Sequence, residues 1–185
     1  MESYGVISDY TWEKVALLCR IRHLKKGELL YKLGEVPTHF AFVYTGLIRA
    51  YVINMQGQEY NKNFFREDSF PGSMTALLTN KPSVMALDAI EDSTVVEMDF
   101  KGFRNLLFDN KELMIFQIRY LEKNWLLHKD TREIELVQDD ADIRYKQFTV
   151  EHPDLVKRLP LYHVASHLGI TPTQLSRIRK KMNMN

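Results

Sequence analysis

Apolar and polar residues alternate along much of residues 24–100, and this period of two predicts short β-strands. In GLIRAYVIN (46–54), every second residue from Ile48 is apolar and shares one face of a strand, while Arg49 lies on the other. The segments NMQGQEYNKNFF, SVMALDAI and STVVEMDF supply a glycine-containing hairpin turn and three further strands, the last two separated by the turn EDS. A region so rich in strands, with no helical period inside it, favours an antiparallel jelly roll over βαβ units.

The period changes near Asp99, where helices replace strands. DFKGFRNLLFDN predicts a short helix, and KELMIFQIRYLEKNWLLHKDTREIELV (111–137) predicts a long one of about 40 Å. The long helix has two apolar faces: Met114, Ile118, Leu121 and Trp125 follow a 4-3-4 spacing, and Leu113, Phe116, Tyr120 and Leu127 lie on a neighbouring face. Such a helix needs two partners, and we expect the barrel and the same helix of a second chain. The alternative is a helix buried within one domain.

A polar break at Asp139 and Asp140 precedes the next predicted helix, ADIRYKQFTVEHPDL, and either aspartate can cap it. We therefore divide the chain into a jelly-roll domain (1–110), the long helix (111–138) and a C-terminal helical domain (139–185). The predicted fold class is α+β, with an N-terminal antiparallel β jelly roll and an all-α C-terminal domain.

The segment LYHVASHLGITPTQLSRIRKK (161–181) has the residue spacing of a helix-turn-helix. Small Ala165 permits a close crossing of two helices, and Gly169 lies where the turn requires a positive φ. The remaining positions also fit: Val164 and Leu168 form the first apolar face, Ile170 fills the core beneath the turn, Thr171 caps the second helix, Pro172 occupies its first position, and Leu175 and Ile178 point inward. The alternative is an ordinary helical hairpin.

The outer face of the second helix (172–182) carries residues suited to DNA: Thr173, Gln174, Ser176, Arg177, Lys180 and Lys181. Arg177 can donate two hydrogen bonds to a guanine edge, and Gln174 can pair with adenine in a similar way. Thr173, near the start of the helix, can contact a base or a thymine methyl group. Phosphates, which position the protein without specifying sequence, suit Thr171, Arg179, Lys180, Lys181 and the exposed helix N-terminus.

The charge distribution agrees with this assignment. The net charge of +1 is uninformative, but residues 1–140 hold 17 basic and 21 acidic residues, whereas residues 141–185 hold 8 and 3. Four basic residues and no acidic ones follow Leu161. A basic appendage on a slightly acidic body favours nucleic acid as a partner, and a tail that only improves solubility is the alternative.

Composition limits the other classes of function. The single cysteine, Cys19, excludes a disulfide framework and a four-thiolate iron–sulfur cluster within one chain. The first residues lack the features of a secretory signal, and no apolar run approaches the roughly 20 residues that span a bilayer. We therefore expect a cytoplasmic protein with no membrane partner.

Enzymatic activity is not expected. A cupin-type enzyme needs several metal ligands inside its barrel, and His39 is the only histidine between Leu24 and Phe100. The sequence also shows no Ser-His-Asp arrangement, P-loop or HExxH motif. His39 or His128 is a candidate haem ligand, but a lone histidine is more often structural. His163 and His167 have metal-ligand spacing with no acidic residue between them, so we interpret them as an incidental pair and expect no metal or cofactor.

These features together resemble the Crp/Fnr family of transcription regulators over essentially the whole chain. GLIRAYVIN, GSMTALLTNKPS and LGITPTQLSRIRKK look most like the compact branch that is common in Bacteroidetes. The resemblance implies a homodimer paired along residues 111–137, a sensor domain that adjusts the DNA-binding domains, and an operator with two half-sites about one helical turn apart. Double-stranded DNA is the implied partner, with RNA polymerase as a further candidate.

The loop SFPGSMTALLTNKPSV (69–84) departs from the cyclic-nucleotide-binding members of that family. In those members a glutamate binds the ribose and an arginine pairs with the cyclic phosphate, whereas Ser73 and Pro82 stand at these positions here. We expect cAMP and cGMP to bind weakly or not at all, because a buried phosphate would lack its charged partner. The candidate pocket residues are Arg49, Gly72, Ser73, Met74, Ser83, His128 and Lys129, and the effector is unknown. A small-molecule-binding module without a DNA role is the alternative function.

Overall fold

Two antiparallel sheets form the N-terminal half of the molecule. The computed structural model describes residues 4–127 and 139–182, and within these ranges the strand order is β1-β7-β3 in one sheet and β2-β6-β4-β5 in the other. The turn EDS carries the chain from β6 in one sheet to β7 in the other, as in a jelly roll. The strands are β1 (Cys19–Leu24), β2 (Leu29–Tyr31), β3 (His39–Thr45), β4 (Ile48–Ile53), β5 (Glu59–Phe65), β6 (Ala86–Ala89) and β7 (Ser93–Asp99).

The barrel core lies between these sheets and confirms the predicted alternation along β4. Ile48 and Ala50 pair with Ala89 and Leu87 of β6 and point into the core. Arg49, between them, points to the outer face of the sheet. It is nevertheless buried, because the C-terminal helices cover this face.

Four α-helices lie within residues 4–127: α1 (Asp9–Ala16), α2 (Met74–Thr79), α3 (Phe100–Asp109) and α4 (Lys111–Leu121). The predicted helix α3 is confirmed, with Asp99 as its cap; its carboxylate accepts a hydrogen bond from the Gly102 N–H. The region 24–100, predicted as strands, also contains the helix α2. A helix of six residues is too short for a period of 3.6 to be recognised.

The first strand also begins earlier than predicted, at Cys19 rather than Leu24. Strand β1 lies at the edge of its sheet, and three of its side chains, including Arg20 and His23, are exposed. Its apolar alternation is therefore weak in the sequence.

The predicted long helix is described as far as Leu127. It runs from Lys111 to Leu121 and continues as a π-helical turn over Glu122–Leu126, while the rest of the predicted range lies outside the described residues. On the other predicted apolar face, Leu113 and Phe116 are buried against the barrel side of the molecule, whereas Leu127 is exposed. The four residues of the 4-3-4 face are exposed: Met114, Ile118, Leu121 and Trp125. None of the described helices is long and apolar enough to cross a lipid bilayer.

The C-terminal helices are α5 (Ala141–Glu151), α6 (Pro153–Arg158), α7 (Leu161–His167) and α8 (Pro172–Met182). The prediction of a single helix over ADIRYKQFTVEHPDL is wrong. One helix ends at Glu151, and a second begins at Pro153 after the non-helical residue His152. Proline disfavours helical backbone in the residue before it and suits the first position of a new helix. The core of these helices is continuous with barrel residues Leu47, Phe64 and Ile90.

Candidate nucleic-acid interface and sensor loop

Helices α7 and α8 are joined by a tight turn whose residues match the predicted spacing. Gly169 has φ +69°, which favours glycine, and the Ile170 N–H donates to the Ala165 carbonyl at 3.0 Å. Ala165 and Leu175 are fully buried where the helices cross. The roles predicted for these residues are confirmed.

The start of α8 is closed by a reciprocal capping box. The Gln174 N–H donates to the Thr171 hydroxyl at 3.2 Å, and the Thr171 N–H donates to the Gln174 amide oxygen at 2.9 Å. The prediction that Thr171 caps the helix is confirmed, but the part played by Gln174 was missed. The Thr-x-x-Gln spacing was its signal in the sequence. Because the amide oxygen of Gln174 is engaged, only its NH₂ group is available to a ligand.

The outer face of α8 is open to solvent. Arg179 is half-buried, and the other seven candidate DNA-binding residues are exposed: Thr171, Thr173, Gln174, Ser176, Arg177, Lys180 and Lys181. Within residues 4–127 and 139–182, none of the four basic side chains on α8 forms an ion pair. These cations are therefore available to phosphates or base edges.

A buried ion pair holds the outer face of β4 beneath α7. The Arg49 guanidinium donates two hydrogen bonds to the Asp88 carboxylate, at 2.7 and 2.9 Å, and a third to Glu59 at 2.6 Å. The same group lies 4.0 Å from the centre of the Tyr51 ring. Burial opposes the charge of Arg49, but the hydrogen bonds to both carboxylates raise its pKa above the usual value.

His163 of α7 completes this cluster in its neutral form. Its Nδ1 accepts hydrogen bonds from Arg49 Nη1 at 3.2 Å and from Asn61 Nδ2 at 3.1 Å. The Asn61 amide also donates to the His163 carbonyl at 3.0 Å. A protonated Nδ1 could not accept these bonds. Burial, and then the positive charge of Arg49, lower the pKa of His163 to about 4.

The backbone of the edge strand β5 is satisfied by side chains of α7. The Ser166 hydroxyl accepts from the Asn61 N–H at 3.0 Å and donates to the Glu59 carbonyl at 2.8 Å. The His167 Nδ1 lies 3.0 Å from the Asn61 carbonyl, to which it donates. Unpaired groups of an edge strand usually need such a partner or water. Helix α7 therefore covers this part of the sheet edge.

Two further arginines join the barrel to the C-terminal helices. Arg158 of α6 donates to the Glu67 carboxylate at 2.8 and 3.0 Å and to Glu91 at 2.6 Å. Its hydrogen bonds are the main cause that lowers the pKa of Glu67 to about 2. Arg66 lies 2.9 Å from Asp154 on the more exposed rim. The helices are thus held against the barrel at several separate points.

The loop of residues 69–84, called the sensor loop here after the sensor domain that the resemblance implies, brings two neutral hydroxyl groups together. Ser73 and Ser83 are both buried, and their oxygens lie 2.8 Å apart. Ser83 Oγ also lies 2.7 Å from the Met85 carbonyl. Gly72 lies close to Phe40, since a Cβ at this position would approach the Phe40 Cβ to 3.1 Å. The loop is therefore closed through its own polar groups.

The other candidate pocket residues do not gather around this pair. Met74 packs against the helical side of the barrel with Phe70 and Leu77, and His128 and Lys129 lie outside the described residues. Placing Arg49 in this pocket was wrong, because it lies on the outer face of β4 and is engaged with Asp88. The alternation along β4 predicts that Arg49 lies on the face opposite Ile48. It does not predict the partners of Arg49, because they are distant in sequence.

The histidines weighed as metal or haem ligands have other neighbours. His39 Nδ1 lies 2.8 Å from the Thr38 hydroxyl, and His163 and His167 are engaged as described above. In the described part of the chain, no three histidine, cysteine or acidic residues form a group suited to a metal ion.

The pKa of His163 predicts a specific loss of stability in mild acid. In the unfolded chain the group titrates near 6.5, so its contribution is complete above this pH and is lost as the pH falls towards 4. Between pH 7 and pH 5 we expect the wild type to lose about 2 kcal/mol more unfolding free energy than His163→Asn. The asparagine oxygen can accept the same hydrogen bonds but does not titrate.

Urea unfolding at both pH values measures this difference. His39→Asn, which replaces a histidine outside the cluster, should keep the wild-type pH dependence. Equal losses in wild type and His163→Asn would show that His163 is not held neutral by the fold.

Comparison with known proteins adds a domain match and a fold to this geometry. Residues 21–110 match the family model for the cyclic nucleotide-binding domain. No curated protein matches the sequence. Among solved structures, FixK2 from Bradyrhizobium japonicum is similar with a TM-score of 0.75 and 16% identity, covering 90% of this chain and 85% of that one.

Two other solved structures resemble this chain to a comparable degree. The c-di-GMP-responsive global regulator CLP of Xanthomonas campestris has a TM-score of 0.76 at 13% identity, with coverage of 96% of this chain and 92% of its own. A CooA mutant from Carboxydothermus hydrogenoformans has a TM-score of 0.74 at 17% identity, with coverage of 96% and 81%. Residues 21–110 therefore match a cyclic nucleotide-binding domain, and the chain has the fold of Crp/Fnr-type regulators.

Proposed function

We propose that this protein is a homodimeric, sequence-specific DNA-binding regulator of the Crp/Fnr type, of the compact branch that its sequence resembles. It acts in the cytoplasm and reads a palindromic site with α8. The observation that carries the proposal is the open outer face of α8, whose cations have no carboxylate partner within the described residues. The inner face of the same helix is anchored by Leu175, so the basic face is free to contact DNA.

The exposed residues of α8 divide into two groups by chemistry. Arg177, on the open face, is suited to two hydrogen bonds with guanine, and Thr173 is suited to a base or a thymine methyl group. Lys180, Lys181 and Arg179 follow near the end of the helix and are suited to phosphates. Gln174 contributes its NH₂ group alone, because its amide oxygen belongs to the capping box. It therefore contacts an acceptor and does not form the bidentate adenine pair expected from the sequence.

Dimerisation through the 4-3-4 face of α4 brings two copies of α8 to one site. Ile118 is 56% exposed and Trp125 is 51% exposed, although both are large apolar side chains on a helix. A second copy of the same helix can cover such a face, because it presents the same apolar residues and no different partner protein is needed. The proposed domains are the sensor (1–110), the dimerisation helix (111–138) and the DNA-binding domain (139–185), with RNA polymerase as a further partner.

The sensor domain is not proposed to respond to cAMP. Neither member of the buried Ser73–Ser83 contact carries a charge that could pair with a cyclic phosphate. Lys81, the one charged residue nearby, is exposed and offers a point charge in place of a two-pronged guanidinium.

Selection from a random duplex library tests DNA recognition, and we expect a palindrome with two half-sites about one helical turn apart. With Arg177→Ala, one position of each half-site should relax, at a cost of about 1–3 kcal/mol for the preferred base. Lys180→Ala is the matched control on the same helix and should weaken all duplexes alike. No enrichment with the wild type would refute DNA recognition and leave a small-molecule-binding module as the function.

A charge in the 4-3-4 face should separate the dimer. We expect Ile118→Glu to be a monomer by light scattering after gel filtration, because dimerisation would bury its carboxylate among apolar side chains. Ile115→Glu adds the same charge about a quarter turn from the centre of the 4-3-4 face and should remain dimeric. The interface is wrongly placed if Ile118→Glu retains the dimer mass.

Cyclic nucleotides should leave the thermal stability unchanged. With millimolar cAMP or cGMP we expect no shift in Tm, because a ligand that does not bind the folded state cannot stabilise it. Calorimetric titration provides an independent measurement on the same sample. A shift of several degrees would mean that other groups replace the missing glutamate and arginine.

A further inference from the structure

A cavity of about 310 Å³ lies between the helices and the barrel, on the opposite side of one sheet from the barrel core. Its walls come from α1, the outer faces of β3 and β7, α2, α3 and α4. Most of the lining is apolar, and much of it is aromatic, including Trp12, Phe40, Phe70, Phe103, Phe116 and Trp125. None of the residues of the barrel core cluster lines it, nor does Ser73 or Ser83. The cavity is therefore separate from the sensor loop's hydroxyl pair.

Two polar side chains, Arg104 and Gln117, interrupt this apolar lining. The Arg104 guanidinium lies 4.6 Å from the centre of the Phe108 ring. Within residues 4–127 and 139–182, Arg104 forms no ion pair and neither side chain makes a hydrogen bond. A half-buried cation beside an apolar cavity is complementary to a ligand with an apolar body and one anionic end.

The cavity is formed before any ligand arrives, because hydrogen bonds fix its N-terminal wall. The backbone N–H and the hydroxyl of Ser8 each lie 2.9 Å from a Glu112 carboxylate oxygen, to which both donate. The Asn110 amide donates to the Thr11 hydroxyl at 2.9 Å. These contacts hold α1 to the start of α4. In a preformed site little binding free energy is lost to ordering the walls when the ligand binds.

The size of the cavity sets the size of the ligand. An engineered protein cavity of about 150 Å³ binds benzene, so a volume of about 310 Å³ accommodates about a dozen non-hydrogen atoms. We propose that this cavity binds a small apolar monocarboxylate of about that size, with its hydrocarbon among the aromatic rings and its carboxylate paired with Arg104.

The ligand would contact both α2 and the C-terminal end of the long helix. Met74 and Leu78 of α2 line the cavity, as do Leu121 and Trp125 beyond the buried part of α4. Leu121 and Trp125 thus belong both to the 4-3-4 face and to the cavity lining, with Trp125 on the π-helical turn. Occupancy would therefore bear on the face proposed for dimerisation. The binding proposal itself does not depend on the proposed DNA-binding function.

Decanoate is the first probe, because it has an apolar chain and one carboxylate. Both tryptophans of the chain, Trp12 and Trp125, line the cavity, so intrinsic fluorescence reports occupancy directly. We expect a saturable fluorescence change with the full-length protein and a calorimetric stoichiometry of one per chain. A parallel calorimetric titration with 1-naphthylacetate tests an aromatic acid of similar size.

Variants locate the carboxylate and the hydrocarbon. Arg104→Gln should weaken decanoate binding at least about tenfold and leave decan-1-ol unaffected, because the alcohol carries no charge. Lys101→Gln removes a charge from the same helix outside the cavity and should bind like the wild type. Leu78→Trp places a larger side chain at an exposed part of the rim and should reduce binding of both acids.

Three outcomes would overturn the proposal. One is the absence of saturable binding of either acid to the wild type at up to millimolar concentration. Another is equal affinity of wild type and Arg104→Gln for decanoate. The third is unchanged binding in Leu78→Trp, which would place the ligand elsewhere. Each is measured without DNA, so loss of operator binding cannot be mistaken for failure of the cavity site.

Discussion

The arrangement of the whole molecule depends on the buried Arg49–Asp88 ion pair. A guanidinium removed from water needs several well-placed acceptors, and here they come from two strands and one helix: Asp88 of β6, Glu59 and Asn61 of β5, and His163 of α7. If α7 were absent, this cluster would lose both an acceptor and its cover. The barrel therefore positions the C-terminal helices through the same residue that closes its own outer face.

This interface links the barrel to the orientation of α8. Helix α7 is fixed to β5 by Ser166 and His163, and α8 crosses α7 at the fully buried Ala165 and Leu175. Close packing at that crossing allows little independent motion between the two helices. A change in the barrel that moves β5 is thus transmitted to α8 as a change in orientation.

Local signals in the sequence predicted much of the fold and less of the sites. Gly169, Thr171 and Pro172 determine the turn and the start of α8 through their own backbone preferences, so neighbouring residues sufficed. The partners of Arg49 come from residues 59 to 163, and no short-range pattern connects them. The cavity is lined from six separate elements, and it too was not predicted. Interactions between distant segments account for most of what sequence reasoning missed.

Because α7 covers the edge strand β5, it limits which movements of the C-terminal helices avoid exposing a sheet edge. Lifting the C-terminal helices away would expose the backbone of Glu59 and Asn61 as an open sheet edge, a template on which a strand of another chain can add. Sliding or rotation that keeps α7 over this edge avoids that exposure. Resistance to aggregation therefore favours motions in which the barrel and the C-terminal helices stay in contact.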